Sequence, residues 1–295
     1  MTNKIPHVNF ALISGTAGWG IRFPDDLNEP GVRVLDRGLA FETPWGLTEN
    51  WQVLEFDGSV TVDGKSRTAL NVFAHGWRSD QIDHASQRRV FWVLNEAGVR
   101  KVLADSTCGS LNRAIQPRDL VIASDMLYLA QTEFSILPGR MKYVCRGKQM
   151  FCPSMGAALE AAAREAWPPN YRVFGPANAL VVAHTWGPRF ETPAEAQALR
   201  LMGADYVSQS MCPEATHARE IGACFISNSY VVNFVDGIIP DEWGELDDIH
   251  TEMADVAPRV SLRALARTPL TDDCGCASYR AVRPQKYATI AHAGS

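Results

Sequence analysis

A short apolar run, Val8 to Ile13, ends in Ser14-Gly15-Thr16-Ala17-Gly18. A hydroxyl flanked by glycines at the end of a strand can turn its oxygen and nearby backbone N–H groups toward an oxoanion. Two further hydroxyl clusters follow apolar runs of strand length. Ser106-Thr107-Cys108-Gly109-Ser110-Leu111 comes after Val99 to Ala104, and Ser210 stands two residues after Ser208, just before Met211-Cys212-Pro213-Glu214. A second kind of chemistry gathers around Gly187-Pro188-Arg189-Phe190-Glu191-Thr192. Phe190 offers an apolar face for a flat heterocycle, and Glu191 an acceptor for a ring N–H. Asn233, in Val231-Val232-Asn233-Phe234-Val235-Asp236, can donate to a carbonyl oxygen and accept from a protonated ring nitrogen. Each residue also has a plainer reading. Glycine turns after first strands are common, Glu191 could serve a helix N-terminus, and Asn233 could be a turn residue.

These residues need elements to hold them in register. Val32 to Phe73 alternates apolar and polar residues around Thr43-Pro44-Trp45-Gly46 and Asp57-Gly58, which predicts antiparallel strands with tight turns. Gln87 to Ala97 has helical spacing, and Met155 to Trp167 is an alanine-rich helix stopped by Pro168-Pro169. Strands are expected at Val99–Ala104, Leu120–Ala123, Ala179–His184 and Cys224–Val232, and helices at Ala194–Met202 and Pro213–Ile221. Strands alternating with helices imply an α/β fold, a single domain with a central mixed β-sheet flanked by helices. Such sheets bind ligands beyond the carboxyl ends of their strands. Thr16, His75, Ser106, Glu191, Ser210 and Asn233 each follow an expected strand, so one shared pocket is the natural inference. The core is expected over about residues 8–265, the region after Pro240 to be less regular, and the tail from about Val282 to be loosely ordered.

Composition narrows the class of partner. The chain has 295 residues, 46% of them hydrophobic, and a formal net charge of −5. That acidity and the scattered basic residues argue against nucleic acid as a partner. No apolar run approaches the roughly 20 residues that span a bilayer, and the N-terminus lacks a signal pattern. Seven dispersed cysteines suggest reduced thiols in a cytoplasmic protein. Cys274-Gly275-Cys276 has no matching pair at zinc spacing, so no metal site is expected. Gly15-Thr16-Ala17-Gly18-Trp19-Gly20 has the wrong spacing for a dinucleotide fingerprint. His217 with Glu220, and His184 with Glu191, lack a nucleophile's usual setting.

Taken in order from about Val8 to Asp236, these motifs resemble the trimeric purine nucleoside phosphorylases and methylthioadenosine phosphorylases. Matching punctuation occurs at Thr43-Pro44-Trp45-Gly46, at Cys108-Gly109-Ser110-Leu111 with Gln116-Pro117-Arg118-Asp119, and at Phe151-Cys152-Pro153. The resemblance implies cleavage of a purine N-glycosidic bond with inorganic phosphate as co-substrate and no organic cofactor or metal, in a cytoplasmic homotrimer working in purine salvage. It places phosphate against Thr16, His75, Ser106, Thr107 and Ser210, and the purine against Phe190, Glu191 and Asn233, with Asn233 stabilising the leaving base. The Glu191–Asn233 pair matches the 6-oxopurine pattern. The 6-aminopurine members carry aspartate at the position of Asn233 and another two residues on, where this chain has Val235. The family's methionine on the ribose is replaced by Gln209, with Met211 following Ser210. Residues near Tyr143 to Phe151 of a neighbouring subunit are expected to close the pocket. A Cys-x-Cys stretch like Cys274–Cys276 also occurs near the C-terminus of several members.

One departure bears on the reaction. In Phe73-Ala74-His75-Gly76-Trp77-Arg78 the family's phosphate-binding arginine is Ala74, and Arg78 is the displaced substitute. The plainer reading makes His75 a hydrogen-bonded core histidine and Arg78 a surface residue. Three functions therefore compete: phosphorolysis, glycosidic cleavage by water or on a pathway-specific nucleoside, and nucleoside binding without catalysis.

Overall fold

The computed structural model describes residues 2–18, 20–74, 84–129, 135–137, 143–187, 189–240, 246–271 and 273–282, with backbone alone at 84–86. His75 and Arg78, and the tail beyond Val282, lie outside the described residues.

The first strand, β1 (Phe10–Ser14), is wholly buried and runs into a short 3-10 turn, Thr16–Gly18. β2 (Val32–Thr43), β3 (Gly46–Phe56) and β4 (Arg67–Phe73) form the expected antiparallel meander. Its first turn is closed where Thr43 Oγ1 donates to the Gly46 carbonyl at 2.7 Å, and Gly46 takes φ +100°, a backbone open to glycine. Helix α1 (His84–Glu96) leads into β5 (Lys101–Ser110). Short strands β6 (Leu120–Val121), β7 (Asp125–Leu127) and β8 (Tyr143–Cys145) precede α2 (Pro153–Ala166), whose proline occupies the first helical position. Then come β9 (Val173–Phe174), β10 (Val181–His184), α3 (Pro193–Leu201), β11 (Tyr206–Ser208), α4 (Met211–Ile221) and β12 (Cys224–Phe234). The chain continues through α5 (Leu246–Met253) and α6 (Val256–Arg267) to β13 (Arg280–Val282).

Among the described residues eleven strands make one mixed sheet, ordered β2-β3-β4-β1-β5-β11-β10-β7, with β12, β6 and β9 branching from β5. The α/β class with a mixed central sheet flanked by helices therefore holds. No helix among the described residues is long and apolar enough to cross a membrane.

The branch point is β5. Its first half pairs in parallel with β1, its whole length pairs in parallel with β12, and its last two residues pair antiparallel with β11. Serving three neighbours requires a long, buried strand, and nine of its ten residues are buried.

Three expectations need correction. β5 and β12 run further than their apolar stretches, so Ser106, Thr107 and Asn233 lie within strands rather than after them. Polar residues extend these strands because long-range pairing satisfies their backbones, which periodicity does not register. The region after Pro240 is also more regular than expected. Helix α6 has eight of its twelve residues buried and is tied to β12 where Asn228 Nδ2 donates to the Ala257 carbonyl (2.8 Å) and to Ser261 Oγ (2.9 Å). Third, Cys274 and Cys276 do find a matching pair. The fold carries Cys152 and Cys224 to them, so that all four sulfurs lie within 4.8 Å of one another.

Candidate functional site

The described candidate residues lie on β5, on or after the strands β1, β12 and β11 that pair with it, or after β10 beside β11. At its Asp105-Ser106 stretch, β5 projects past the carboxyl end of β1, because the β1–β5 register stops at Ile13 with Ala104. The Gly15 N–H crosses this step and donates to Asp105 Oδ1 at 2.9 Å, both groups buried. Thr16, 7% exposed, follows Gly15, and Ser106, 5% exposed, follows Asp105. Ser106 Oγ donates to the Thr107 carbonyl at 3.0 Å, and Thr107 is half-buried. The Gly15 N–H expected for an oxoanion is therefore already used by a carboxylate. The Ala74 N–H is likewise taken up, by the Ser14 carbonyl at 3.2 Å.

The next residues of β5 face the other half of the set. β12 keeps regular register with β5 as far as Val231 opposite Cys108, then bulges so that Asn233 sits opposite Gly109. A bulge re-aims the side chain that follows it. Gly109 makes the arrangement possible, since a Cβ there would meet Val235 Cγ2 at 3.0 Å, Val207 Cγ2 at 3.2 Å and Asn233 Oδ1 at 3.6 Å. The Asn233 amide is oriented by its own neighbour, Nδ2 donating to the Phe234 carbonyl at 2.7 Å. Val235 is buried beside it, and its N–H donates to the Ser110 carbonyl at 3.0 Å.

The third face comes from β10 and β11, whose parallel register ends with His184 opposite Ser208. Thr185 then donates its hydroxyl to the Glu191 carboxylate. Glu191 is 5% exposed, whereas Phe190 beside it is 51% exposed. Thr192 holds this loop by a capping box: its hydroxyl accepts the Glu195 N–H at 3.2 Å, and the Glu195 carboxylate accepts the Thr192 N–H at 2.8 Å. Arg189 adds two contacts to Glu195, which is held down at about 2 by that guanidinium and by the Thr192 N–H. The plainer role expected of Glu191, serving the helix start, thus falls to Glu195.

Ser208 rather than Ser210 caps α4. Its Oγ accepts the N–H of Ser210 (3.4 Å) and of Met211 (3.3 Å), while the Ser210 side chain stays out of the cap. Ser210 is 8% exposed and Met211 fully buried. Gln209, just before them, is half-buried, its Nε2 donating to the Arg189 carbonyl at 3.2 Å.

Residues to which motif reading gave no role are Asp105, Thr185, Ser208 and Glu214. Glu214, in the first turn of α4, is 2% exposed. Its carboxyl is pushed well above the usual carboxylate range by desolvation and then by the Asp105 charge. A lone acid after the apolar run Val102-Leu103-Ala104 was the one available signal for Asp105. The pairs set aside earlier also resolve. Glu220 accepts the Ile136 N–H at 2.9 Å and the Ser135 hydroxyl, and His184 packs against Tyr128 and Trp186 with ring centroids at 4.8 and 4.2 Å. His217 packs on Phe91 at 5.5 Å.

Comparison with known proteins identifies relatives of the chain. Residues 74–266 match the model of the family described as the Phosphorylase superfamily. A probable 6-oxopurine nucleoside phosphorylase of Thermococcus kodakarensis is 30% identical over 84% of this chain and 91% of its own length. A probable S-methyl-5′-thioinosine phosphorylase of Methanothermobacter thermautotrophicus is 29% identical over 70% of this chain and 68% of its own. Among solved structures, a methylthioadenosine phosphorylase from an antarctic soil metagenomic library aligns with TM-score 0.68, at 20% identity, over 89% of this chain and 86% of its own. At that identity the likeness speaks for the fold.

Proposed function

Because the chain belongs to the phosphorylase superfamily, we propose that it cleaves the N-glycosidic bond of a 6-oxopurine nucleoside or 5′-methylthionucleoside by phosphorolysis. It is a pentosyltransferase of the nucleoside phosphorylase type, and its family binds nucleoside and phosphate. The relatives named for 6-oxopurine and methylthioinosine substrates support the choice of base. The observation that supports the reading is that β5 carries both the Gly15–Asp105 hydrogen bond, just before Thr16 and Ser106 in sequence, and, three to four residues on, the bulge that sets Asn233 opposite Gly109.

In this proposal the hydroxyls of Thr16, Ser106, Thr107 and Ser210, with His75 and Arg78, hold phosphate below C1′. Phe190 covers the purine face, Glu191 accepts from its N1–H, and Val235 packs beside it. The Asn233 amide meets O6 and N7. Gln209 and Met211 contact the sugar. A phosphate oxygen forms the bond to C1′ as the C1′–N9 pair leaves with the base, and Asn233 stabilises the charge that develops at N7. Inorganic phosphate is the co-substrate and no organic cofactor takes part. The proposal includes a homotrimer in the cytoplasm serving purine salvage.

A second reading, hydrolysis, is favoured by one observation: Asp105 takes the Gly15 N–H and adds negative charge where an anion would sit. The two part cleanly in a rate measurement. Inosine, guanosine and methylthioinosine are supplied with and without phosphate, and the sugar product is identified. Phosphorolysis requires phosphate dependence and pentose 1-phosphate. Free pentose formed at an undiminished rate without phosphate would overturn it.

A further inference from the structure

Four of the seven cysteines converge far from the candidate site. Cys224 begins β12, at the opposite end of the strand from Asn233. Cys152 is the N-cap residue of α2, and Cys274 and Cys276 flank a turn near the C-terminus. All four sulfurs lie within 4.8 Å of one another, and the Cys224 and Cys274 sulfurs are 3.6 Å apart. A zinc ion bound tetrahedrally at about 2.3 Å to each sulfur requires edges of about 3.8 Å. Iron–sulfur clusters interpose several metal atoms between their cysteines, so a set this tight suits a single ion.

The surroundings supply hydrogen-bond donors to the sulfurs. The Lys101 ammonium, 2% exposed, donates to Cys224 Sγ at 3.7 Å. Gln149 Nε2 donates to Cys276 Sγ at 3.4 Å and to the Cys274 carbonyl at 2.6 Å, which holds both ends of the turn. Gly275 between them has φ +75°, the left-handed backbone that folds Cys-Gly-Cys back on itself so that both sulfurs face one point. The N-terminus of α2 adds its positive dipole end at Cys152. Outer donors of this kind orient and neutralise metal-bound sulfur.

We propose that Cys152, Cys224, Cys274 and Cys276 form a structural tetrathiolate zinc site. Each thiol releases its proton to solvent as its sulfur binds the ion, so four protons leave for each zinc. The site fastens the C-terminal segment to the start of β12 and of α2. That segment continues into β13, which pairs with β8. The Cys152 N–H, donating to the Phe225 carbonyl at 2.8 Å, already joins α2 to β12 there. Closing the site with metal locks together pieces of chain more than 100 residues apart, from Cys152 to Cys274.

The test uses the full chain expressed in zinc-supplemented medium and purified without chelator. Elemental analysis is expected to give about one zinc per chain, and X-ray absorption to give sulfur neighbours alone at about 2.3 Å. The Cys274→Ser/Cys276→Ser double variant is expected to lose the zinc, while Cys145→Ser, an exposed cysteine outside the cluster, keeps it. Should the double variant not fold, cobalt exchange into the unaltered protein supplies the same answer through the visible bands of a tetrahedral cobalt–thiolate centre. Chelation is further expected to raise hydrogen exchange over residues 143–152 and 274–282. A zinc content that does not approach one per chain, iron in its place, or disulfides among these four cysteines by mass spectrometry would overturn the proposal.

Discussion

The sharpest consequence of the candidate site concerns Asn233→Asp. The Asn233 Nδ2 donates to the Phe234 carbonyl at 2.7 Å in surroundings that leave the residue 6% exposed. Aspartate puts an acceptor against that carbonyl, so the donor is lost and the group must turn or take up a proton. A buried hydrogen bond replaced in this way costs about 1–3 kcal/mol. The same loss falls on the substrate, because a 6-oxopurine presents O6 to a group that can no longer donate. At about 1.4 kcal/mol per tenfold, kcat/KM for inosine should fall by about 5- to 150-fold. Adenosine, whose N6 amino group donates, gains an acceptor worth about 0.5–1.5 kcal/mol. Together these move the adenosine-to-inosine selectivity ratio by about 10- to 2000-fold. The assay is base release followed chromatographically at saturating phosphate, with circular dichroism confirming a folded variant. A ratio within about threefold of the parent in a folded protein refutes the placement of Asn233 against the 6-substituent. Equal losses on both nucleosides would do the same and leave only a role at N7.

Further expectations follow from neighbouring contacts. Thr185→Val removes the hydroxyl that donates to the buried Glu191 carboxylate, and should lower kcat/KM by about 5- to 150-fold in a variant that still folds but is about 1–3 kcal/mol less stable in urea unfolding; unchanged kinetics would remove Thr185 as a positioning residue. Gly109→Ala places a Cβ 3.0 Å from Val235 Cγ2 and 3.2 Å from Val207 Cγ2, so overpacking should cost about 1–3 kcal/mol in urea unfolding, with a larger loss in nucleoside binding than in phosphate binding. Parental stability would mean that these valines yield freely. Glu214 has its carboxyl raised by desolvation and by Asp105, so the native state holds a proton that the unfolded chain releases. Its contribution is fully present below the ordinary glutamate range and is lost as pH rises through the elevated native value. Glu214→Gln should therefore flatten the fall in urea midpoint between pH 5 and pH 8, and an unaltered slope would contradict the shift.

Much of the scaffold was legible because its signals are local. The glycine turn after β1, the Thr43–Gly46 turn, the Pro168-Pro169 stop after α2, and the alternation of the meander each act through a few neighbouring residues. Ordered motifs from Val8 to Asp236 were enough to identify the family to which the chain belongs. The types of residue in the site were legible too, since a hydroxyl cradle and an aromatic–carboxylate–amide set declare their chemistry by composition. Their mutual placement was not. The hydrogen bond from Gly15 to Asp105 spans 90 residues, and the bulge at Asn233 exists only in register with Gly109 on another strand. The short strand β11 carries too few residues for a periodic pattern and exists because β5 and β10 flank it. Cys274 and Cys276 meet Cys152 and Cys224 only through the packing of α2 and β12. Propensity and periodicity reach a few residues along the chain, whereas these partners are chosen by backbone groups that must be paired once buried, and that choice is made in three dimensions.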